Sequence, residues 1–102
     1  MSRLPQLMKL HEQDPSDADL LYMIGHELSR EGKHLEAIDW LTRYTERGVD
    51  VGAAFGLIAD SCEELGRHEE ARAALRWGIE AARRAGHPTM AGEMQARLDD
   101  NL

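Results

Sequence analysis

The amino-acid sequence predicts an all-α fold, a stack of antiparallel helix hairpins, and three observations lead to this prediction. The block at residues 32–41 recurs at residues 66–75, which is 34 residues further along the chain. In both copies, apolar residues recur every three or four positions, as they do on one face of a helix. A glycine divides each copy into two such segments, and glycine commonly ends a helix. Repeats of this length with two helices each bury a continuous core by stacking.

The first repeat, residues 18–51, is predicted to form two helices. The apolar stripe of its first helix comprises Leu20, Leu21, Ile24 and Leu28. Gly32 ends that helix and His34 begins the second. The buried face of the second helix comprises Ala37, Ile38, Leu41 and Tyr44. Gly25 is expected to face Ala37, because small side chains at a crossing let two helix backbones approach closely.

The second repeat, residues 52–85, shows the same pattern with different side chains. Its two apolar stripes comprise Phe55, Ile58, Ala59 and Cys62, then Ala71, Ala74, Leu75 and Ile79. Gly66 separates the two helices, as Gly32 does in the first repeat. Gly48 and Asp50 mark the junction between the repeats, where a glycine that ends one helix precedes a carboxylate that caps the next.

The flanking segments are each predicted to be helical, the N-terminal one as a partial unit, and we expect five or six helices in a single domain over residues 1–102. Residues 1–15 fit the second helix of a partial preceding unit, with the apolar residues Leu4, Leu7, Met8 and Leu10. Ser16 and Asp19 are expected to form a capping box for the helix that follows. Residues 87–101 fit a capping helix with Pro88 in its first turn. Its apolar stripe comprises Met90, Ala91, Met94 and Leu98.

Residues 18–85 resemble the tetratricopeptide repeat family. The resemblance is carried by Leu21, Ile24, Gly25, Leu28, Ala37 and Leu41, then by Phe55, Ile58, Ala59, Cys62, Ala71 and Leu75. Leu28 and Cys62 replace the usual tyrosine of the family, and Val49 and Arg83 stand where the family has proline. The resemblance implies that the helix hairpins form a right-handed superhelical stack. It also implies a non-catalytic module that binds proteins. In such a module the first helix of each repeat lines a concave groove, which accepts a peptide or a helix of the partner.

The resemblance also implies which residues face that groove. They are Asp19, Tyr22, His26, Ser29 and Arg30, followed by Ala53, Gly56, Asp60, Glu63 and Glu64. The second set is acidic, which favours a neutral or basic protein or peptide with Lys or Arg at one end. A solvated acidic face without a ligand is the alternative interpretation. The family's clamp for a terminal carboxylate is not expected, because Tyr22 and His26 stand where it has Lys and Asn.

Two other functions are compatible with the same repeats. One is homo-oligomerisation, for example as a homodimer, through the apolar terminal helices or through Trp77. Trp77 is expected to be covered by the C-terminal helix or by another chain, because exposed indoles are uncommon outside interfaces. The other is a small secretion-type chaperone, which needs an exposed aliphatic groove. Gly56 and Asp60 argue against that groove.

Charge and length exclude several classes of partner. Nineteen acidic residues against twelve basic ones give a net charge of −7. This argues against nucleic acid and anionic membranes as the main partner, since both select clustered positive charge. No segment has the roughly 20 consecutive apolar residues that a membrane span needs. A neutral or basic partner fits this charge better.

The sequence contains no motif for a catalytic, cofactor or metal site, so no enzyme activity is predicted. His34 and His68 occupy equivalent positions and are interpreted as helix-start residues, with metal binding as the alternative. The one cysteine, Cys62, has no partner for an internal disulfide and is predicted to be a buried, inert thiol. These features predict a cytoplasmic protein.

Overall fold

The computed structural model describes residues 2–100, which form six helices and no strand. The helices are α1 (Leu4–Gln13), α2 (Ala18–Arg30), α3 (His34–Thr45), α4 (Ala53–Glu64), α5 (His68–Arg84) and α6 (Pro88–Asp100). Each helix packs against the next one along the chain, and α2 also contacts α4. The predicted all-helical stack is therefore confirmed. The first residue of the predicted N-terminal segment and residue 101 of the predicted capping segment lie outside the described residues.

Glycine makes the tight turn inside each hairpin. Gly32 and Gly66 both have positive φ, 77° and 73°, which side chains with a Cβ rarely adopt. After Gly32, the N–H of Lys33 donates to the carbonyl of Leu28 at 2.9 Å, and after Gly66 the equivalent bond joins Arg67 to Cys62 at 2.8 Å. These bonds satisfy carbonyls at the helix end and reverse the chain within three residues.

The core runs through the stack from α1 to α6. The predicted stripes of α2 and α5 are fully buried, while those of α3, α4 and α6 are buried or half-buried. The largest fully buried side chains are Leu21, Ile24, Leu41, Leu75, Cys62 and Ser61. In α1, Leu7 is buried, but Met8 and Leu10 are exposed. One continuous core thus holds the six helices together, as stacked repeats require.

One local prediction is wrong. Helix α2 is capped by Asp17, whose side chain accepts from the N–H of Asp19, and Ser16 instead donates to Asp14. The crossing of α2 and α3 is close at Gly25, since a Cβ placed there would lie 2.5 Å from the Leu41 Cγ. Glycine thus leaves room at this crossing for a large side chain of α3.

Candidate partner-binding site

Two tyrosine rings form one wall of a cleft where α2, α3 and the start of α4 meet. The ring centroids of Tyr22 and Tyr44 lie 5.3 Å apart with an interplanar angle of 59°. The residues that line this tyrosine cleft are Asp19, Tyr22, Met23, Tyr44, Asp50, Val51 and Ala53. The cleft thus combines aromatic and aliphatic walls with two carboxylates.

Local structure fixes the position of one of these carboxylates. Asp50 lies in the segment between α3 and α4, and its Oδ1 accepts from the N–H of Ala54 at 3.1 Å. Its Oδ2 faces the N–H of Phe55 at 3.4 Å. The predicted capping role of Asp50 is confirmed, although the residue at the N-cap position is Gly52. The same carboxylate borders the tyrosine cleft, so the cap also positions a charge there.

The carboxylates and partial burial act together on the two tyrosines. Burial, and then the negative charge of Asp50, raise the pKa of Tyr22 above 10.0. The pKa of Tyr44 is raised by burial, by Asp50 and by Asp19. Within residues 2–100, neither Asp19 nor Asp50 forms an ion pair with a basic side chain. The cleft therefore presents negative charge beside two aromatic rings.

An alkaline titration is expected to show both tyrosines ionising above pH 10.0. In the unfolded chain they ionise at about pH 10, so the folded state binds the phenolic protons more tightly. The stability linked to these protons is fully present below about pH 10 and is lost as the pH rises through the folded-state pKa values. Since the chain has two tyrosines, tyrosinate absorbance reports on this cleft alone.

Asp50→Asn should lower the midpoint of that titration, because it removes a charge that raises both pKa values. Glu64→Gln removes the same charge from the exposed end of α4 and serves as the control. Equal midpoints in Asp50→Asn and the wild-type chain would contradict the described placement of Asp50 beside the rings.

A second cleft lies between α1 and α2 and contains two further predicted residues. It is lined by Arg3, Leu7, Tyr22, Met23, His26, Glu27 and Arg30. The exposed ring of His26 stacks on Tyr22 with centroids 6.2 Å apart. Tyr22 therefore borders both clefts and joins them into one continuous surface on α2.

Buried Glu27 forms the floor of this second cleft and holds α1 in place. One carboxylate oxygen accepts from the N–H of Arg3 at 3.0 Å, and the other accepts from Arg30 at 3.3 Å. Arg3 is the N-cap residue of α1, so Glu27 satisfies a donor that the helix itself leaves open. The residue pattern does not single out Glu27, because nothing in it distinguishes this side chain from a surface carboxylate.

Two of the predicted acidic positions of the second repeat contact α6. Asp60 and Glu63 both accept from Arg97, at 2.7 Å and 3.4 Å. A Cβ added to Gly56 would lie 3.4 Å from the Cε of Met94. Arg97 thus pairs with two of the acidic residues predicted for the groove, while the Asp60 side chain stays 52% exposed. Arg97 neutralises part of their charge, in contrast to the two carboxylates of the tyrosine cleft.

The remaining predicted groove residues lie apart from the clefts. Ser29 is half-buried within α2, and Glu64 is exposed at the end of α4. Trp77 is 62% exposed, so the C-terminal helix, one of the two predicted covers of this side chain, does not bury it. The first repeat's Trp40 is half-buried, between the His11 ring at 5.0 Å and the guanidinium of Arg43 at 4.2 Å.

Other polar groups have structural explanations. His34 hydrogen-bonds through Nδ1 to the fully buried Ser61 at 3.0 Å, which ties α3 to α4. No group of three or more metal-ligating side chains occurs in the described part of the chain. Cys62 is buried, and burial together with Glu70 raises the pKa of its thiol. Among residues 2–100, no helix is long and apolar enough to cross a bilayer.

Tyr44 and Asp50 are the site residues that sequence reasoning missed. The apolar pattern places Tyr44 on the core face of α3, and the turn motif accounts for Asp50 as a cap alone. A signal was present in the repeat alignment, because the positions equivalent to Tyr22 and Tyr44 in the second repeat are Gly56 and Gly78. Because two tyrosines of the first repeat align with two glycines of the second, the alignment indicates that the surface at these positions is aromatic in the first repeat alone.

Comparison with known proteins supports the fold and the class of function. No curated protein and no solved structure matches the chain significantly. The family model described as "Anaphase-promoting complex, cyclosome, subunit 3" matches residues 7–78, which is more than half of the chain. This is a family of tetratricopeptide-like repeats, and its fold generally mediates protein–protein interaction without catalysis. The match extends from Leu7 in α1 to Gly78 in α5, so it contains both tyrosines of the cleft. The chain therefore belongs to the family of anaphase-promoting complex, cyclosome, subunit 3.

Proposed function

We propose that the chain is a non-catalytic, cytoplasmic module that docks a peptide or a helix of a protein partner on the face formed by α2 and the start of α4. The tyrosine cleft is the anchor point of this face. The observation that carries the proposal is the pairing of two adjacent aromatic rings with two carboxylates that have no basic partner in the described chain. A buried thiol as the only cysteine agrees with a reducing compartment.

The cleft fits a cationic side chain of the partner. The methylene stem of a Lys or Arg lies against the apolar walls, while its charged head pairs with Asp19 and Asp50. Aromatic faces also attract cations within about 6 Å of the ring centroid. If the partner's backbone continues along α2, it contacts His26 and Arg30 in the second cleft. This favours a basic residue at one end of the bound segment.

The contact of Arg97 with Asp60 and Glu63 supports this chemistry from within the molecule. An arginine of one helix lies between carboxylates of another helix in the same stack. Because Asp60 and Glu63 contact Arg97, and Gly56 lies against Met94, substitutions at these three positions do not test partner binding alone. A substitution at Asp60 breaks an intramolecular ion pair as well as any contact with a partner.

Selection from a displayed library of random peptides tests the proposed chemistry of the partner directly. The selected peptides should share a Lys or Arg, and their affinity should fall about tenfold or more in Asp19→Lys, because the substitution places like charges together. Tyr44→Ala should weaken binding to a similar extent, because it removes one of the two rings that form the aromatic wall. Since the attraction is electrostatic, raising the ionic strength from about 0.15 M to 1 M should also weaken it.

Glu64→Lys is the matched control, since it makes the same charge change at the exposed end of α4. It should leave the affinity within about twofold of the wild-type value, as a surface charge more than a Debye length away is largely screened. Selected peptides that bind Asp19→Lys and Tyr44→Ala as tightly as the wild-type chain would overturn the proposal.

A further inference from the structure

The outer face of α5 carries the most exposed large hydrophobic side chain of the described residues. Trp77 is 62% exposed and lies at the middle of the longest helix, His68–Arg84. A shallow depression beside it is lined by Ala73, Arg76, Trp77 and Glu80. Tryptophan and arginine are among the residues most enriched at the energetic centres of interfaces. Nothing within residues 2–100 covers this face.

The charges along this face change sign from one end of the helix to the other. Residues that share the face with Trp77 at helical spacing form what we call the α5 stripe: Glu69, Ala73, Arg76, Trp77, Glu80 and Arg84. An acidic residue begins the stripe, and a basic residue ends it. In an antiparallel pair of two such stripes, residues of opposite charge lie opposite each other at both ends. At the centre, a cationic side chain of one stripe lies opposite the indole of the other.

We propose that a second copy of the chain pairs with the α5 stripe, with the two α5 helices antiparallel about a two-fold axis. This arrangement places Glu69 opposite Arg84 of the second copy and Ala73 opposite its Glu80. Arg76 then lies over the indole of the second copy's Trp77, where a cation and an aromatic face attract each other. By symmetry each contact occurs twice, which is the property of an isologous interface.

A second copy fits the stripe better than a partner of one charge. A basic segment would be repelled by Arg76 and Arg84, and an acidic segment would be repelled by Glu69 and Glu80. In the first repeat, the position equivalent to Trp77 is Arg43, so α3 lacks the apolar centre that such pairing needs. Ala73 leaves room beside the indole, where the depression accepts a side chain of the second copy.

The interface is small, so the dimer is weak. One helix pair buries less than the roughly 1,200–2,000 Å² of stable complexes. Dissociation constants on the order of tens of micromolar are therefore expected. The surface does not overlap the tyrosine cleft, so this inference is independent of the proposed docking function.

Light scattering behind a sizing column, combined with sedimentation equilibrium, measures the mass from about 1 μM to 1 mM protein. The wild-type chain should pass from 11.5 kDa towards twice that mass. Trp77→Ala should remain a monomer over the whole range. Leu35→Ala is the matched control, because Leu35 is 59% exposed on α3, outside the stripe, and its loss should leave dimerisation unchanged.

Charge exchange tests the antiparallel arrangement itself. Glu69→Arg should abolish the dimer, because it places an arginine opposite Arg84 of the second copy. The double variant Glu69→Arg with Arg84→Glu should restore the dimer. Circular dichroism melting curves verify that each variant is folded. A wild-type mass of 11.5 kDa at 1 mM overturns the proposal, as does a dimer that survives Trp77→Ala. Failure of the folded double variant to recover, or masses that grow beyond the dimer, overturns the two-fold pairing.

Discussion

Replacing Gly25 with leucine is expected to lower the free energy of unfolding by about 3 kcal/mol, the upper end of the usual cost of overpacking a core. A Cβ at this position would lie 2.5 Å from the Cγ and 2.7 Å from the Cδ2 of Leu41. Leu41 is fully buried, so it has no space into which to move. The melting temperature should fall by roughly 15 °C in a domain of this size. Thermal and urea unfolding followed by circular dichroism measure both quantities.

Gly92→Leu is the control for the same chemical change in a helix. A Cβ at Gly92 meets no atom within 4 Å, and the residue is exposed on α6. Replacing a helical glycine there should be neutral or stabilise the chain by up to about 1 kcal/mol, because glycine disfavours the helix. The double variant Gly25→Leu with Leu41→Ala should regain part of the lost stability. If Gly25→Leu were no less stable than Gly92→Leu, the close crossing of α2 and α3 would be contradicted.

The repeat period and the glycines were sufficient to predict the architecture. Once residues 32–41 align with 66–75, each stripe of apolar residues fixes one helix and the side it buries. Gly32 and Gly66 then mark the turns, because their backbone conformation excludes most other residues. These signals are local, and the stacking of amphipathic helices leaves few other ways to bury the stripes.

The candidate site was harder to predict, because it depends on what fills the space between helices. The register places Tyr22 on the groove face, but it does not reveal that Tyr44 tilts against it at 5.3 Å. Likewise, the pairing of Arg97 with Asp60 joins residues 37 positions apart. Neither helix period nor residue type encodes that distance. Trp77 illustrates the same limit, since helix period and residue type do not reveal that its side chain is 62% exposed.

Met94→Ala is expected to destabilise the chain by about 2–4 kcal/mol, the range for truncating a buried methionine. Met94 is 6% exposed, and it fills the space above Gly78 and Gly56. These two glycines have no side chains that could close the cavity left by the truncation. Urea unfolding measures the loss. Met8→Ala, a truncation of the same type at a residue that is 38% exposed in α1, should cost less than about 0.5 kcal/mol.

A double-mutant cycle tests whether the contact between Met94 and Gly78 holds α6 against the second repeat. Gly78→Ala alone forces a Cβ to within 2.7 Å of the Met94 Sδ and 3.0 Å of the Phe55 Cβ, so it should be destabilising despite alanine's better helix propensity. In the double variant with Met94→Ala, the new methyl group occupies vacated space. The combined loss should therefore be smaller than the sum of the single losses by about 1 kcal/mol. Strict additivity would mean that Met94 and Gly78 do not contact each other. In the first repeat, Tyr22 and Tyr44 stand at the positions of Gly56 and Gly78. The two glycines admit Met94 of α6, whereas the two tyrosines form the wall of an open cleft. Additivity would remove this explanation of the difference between the repeats.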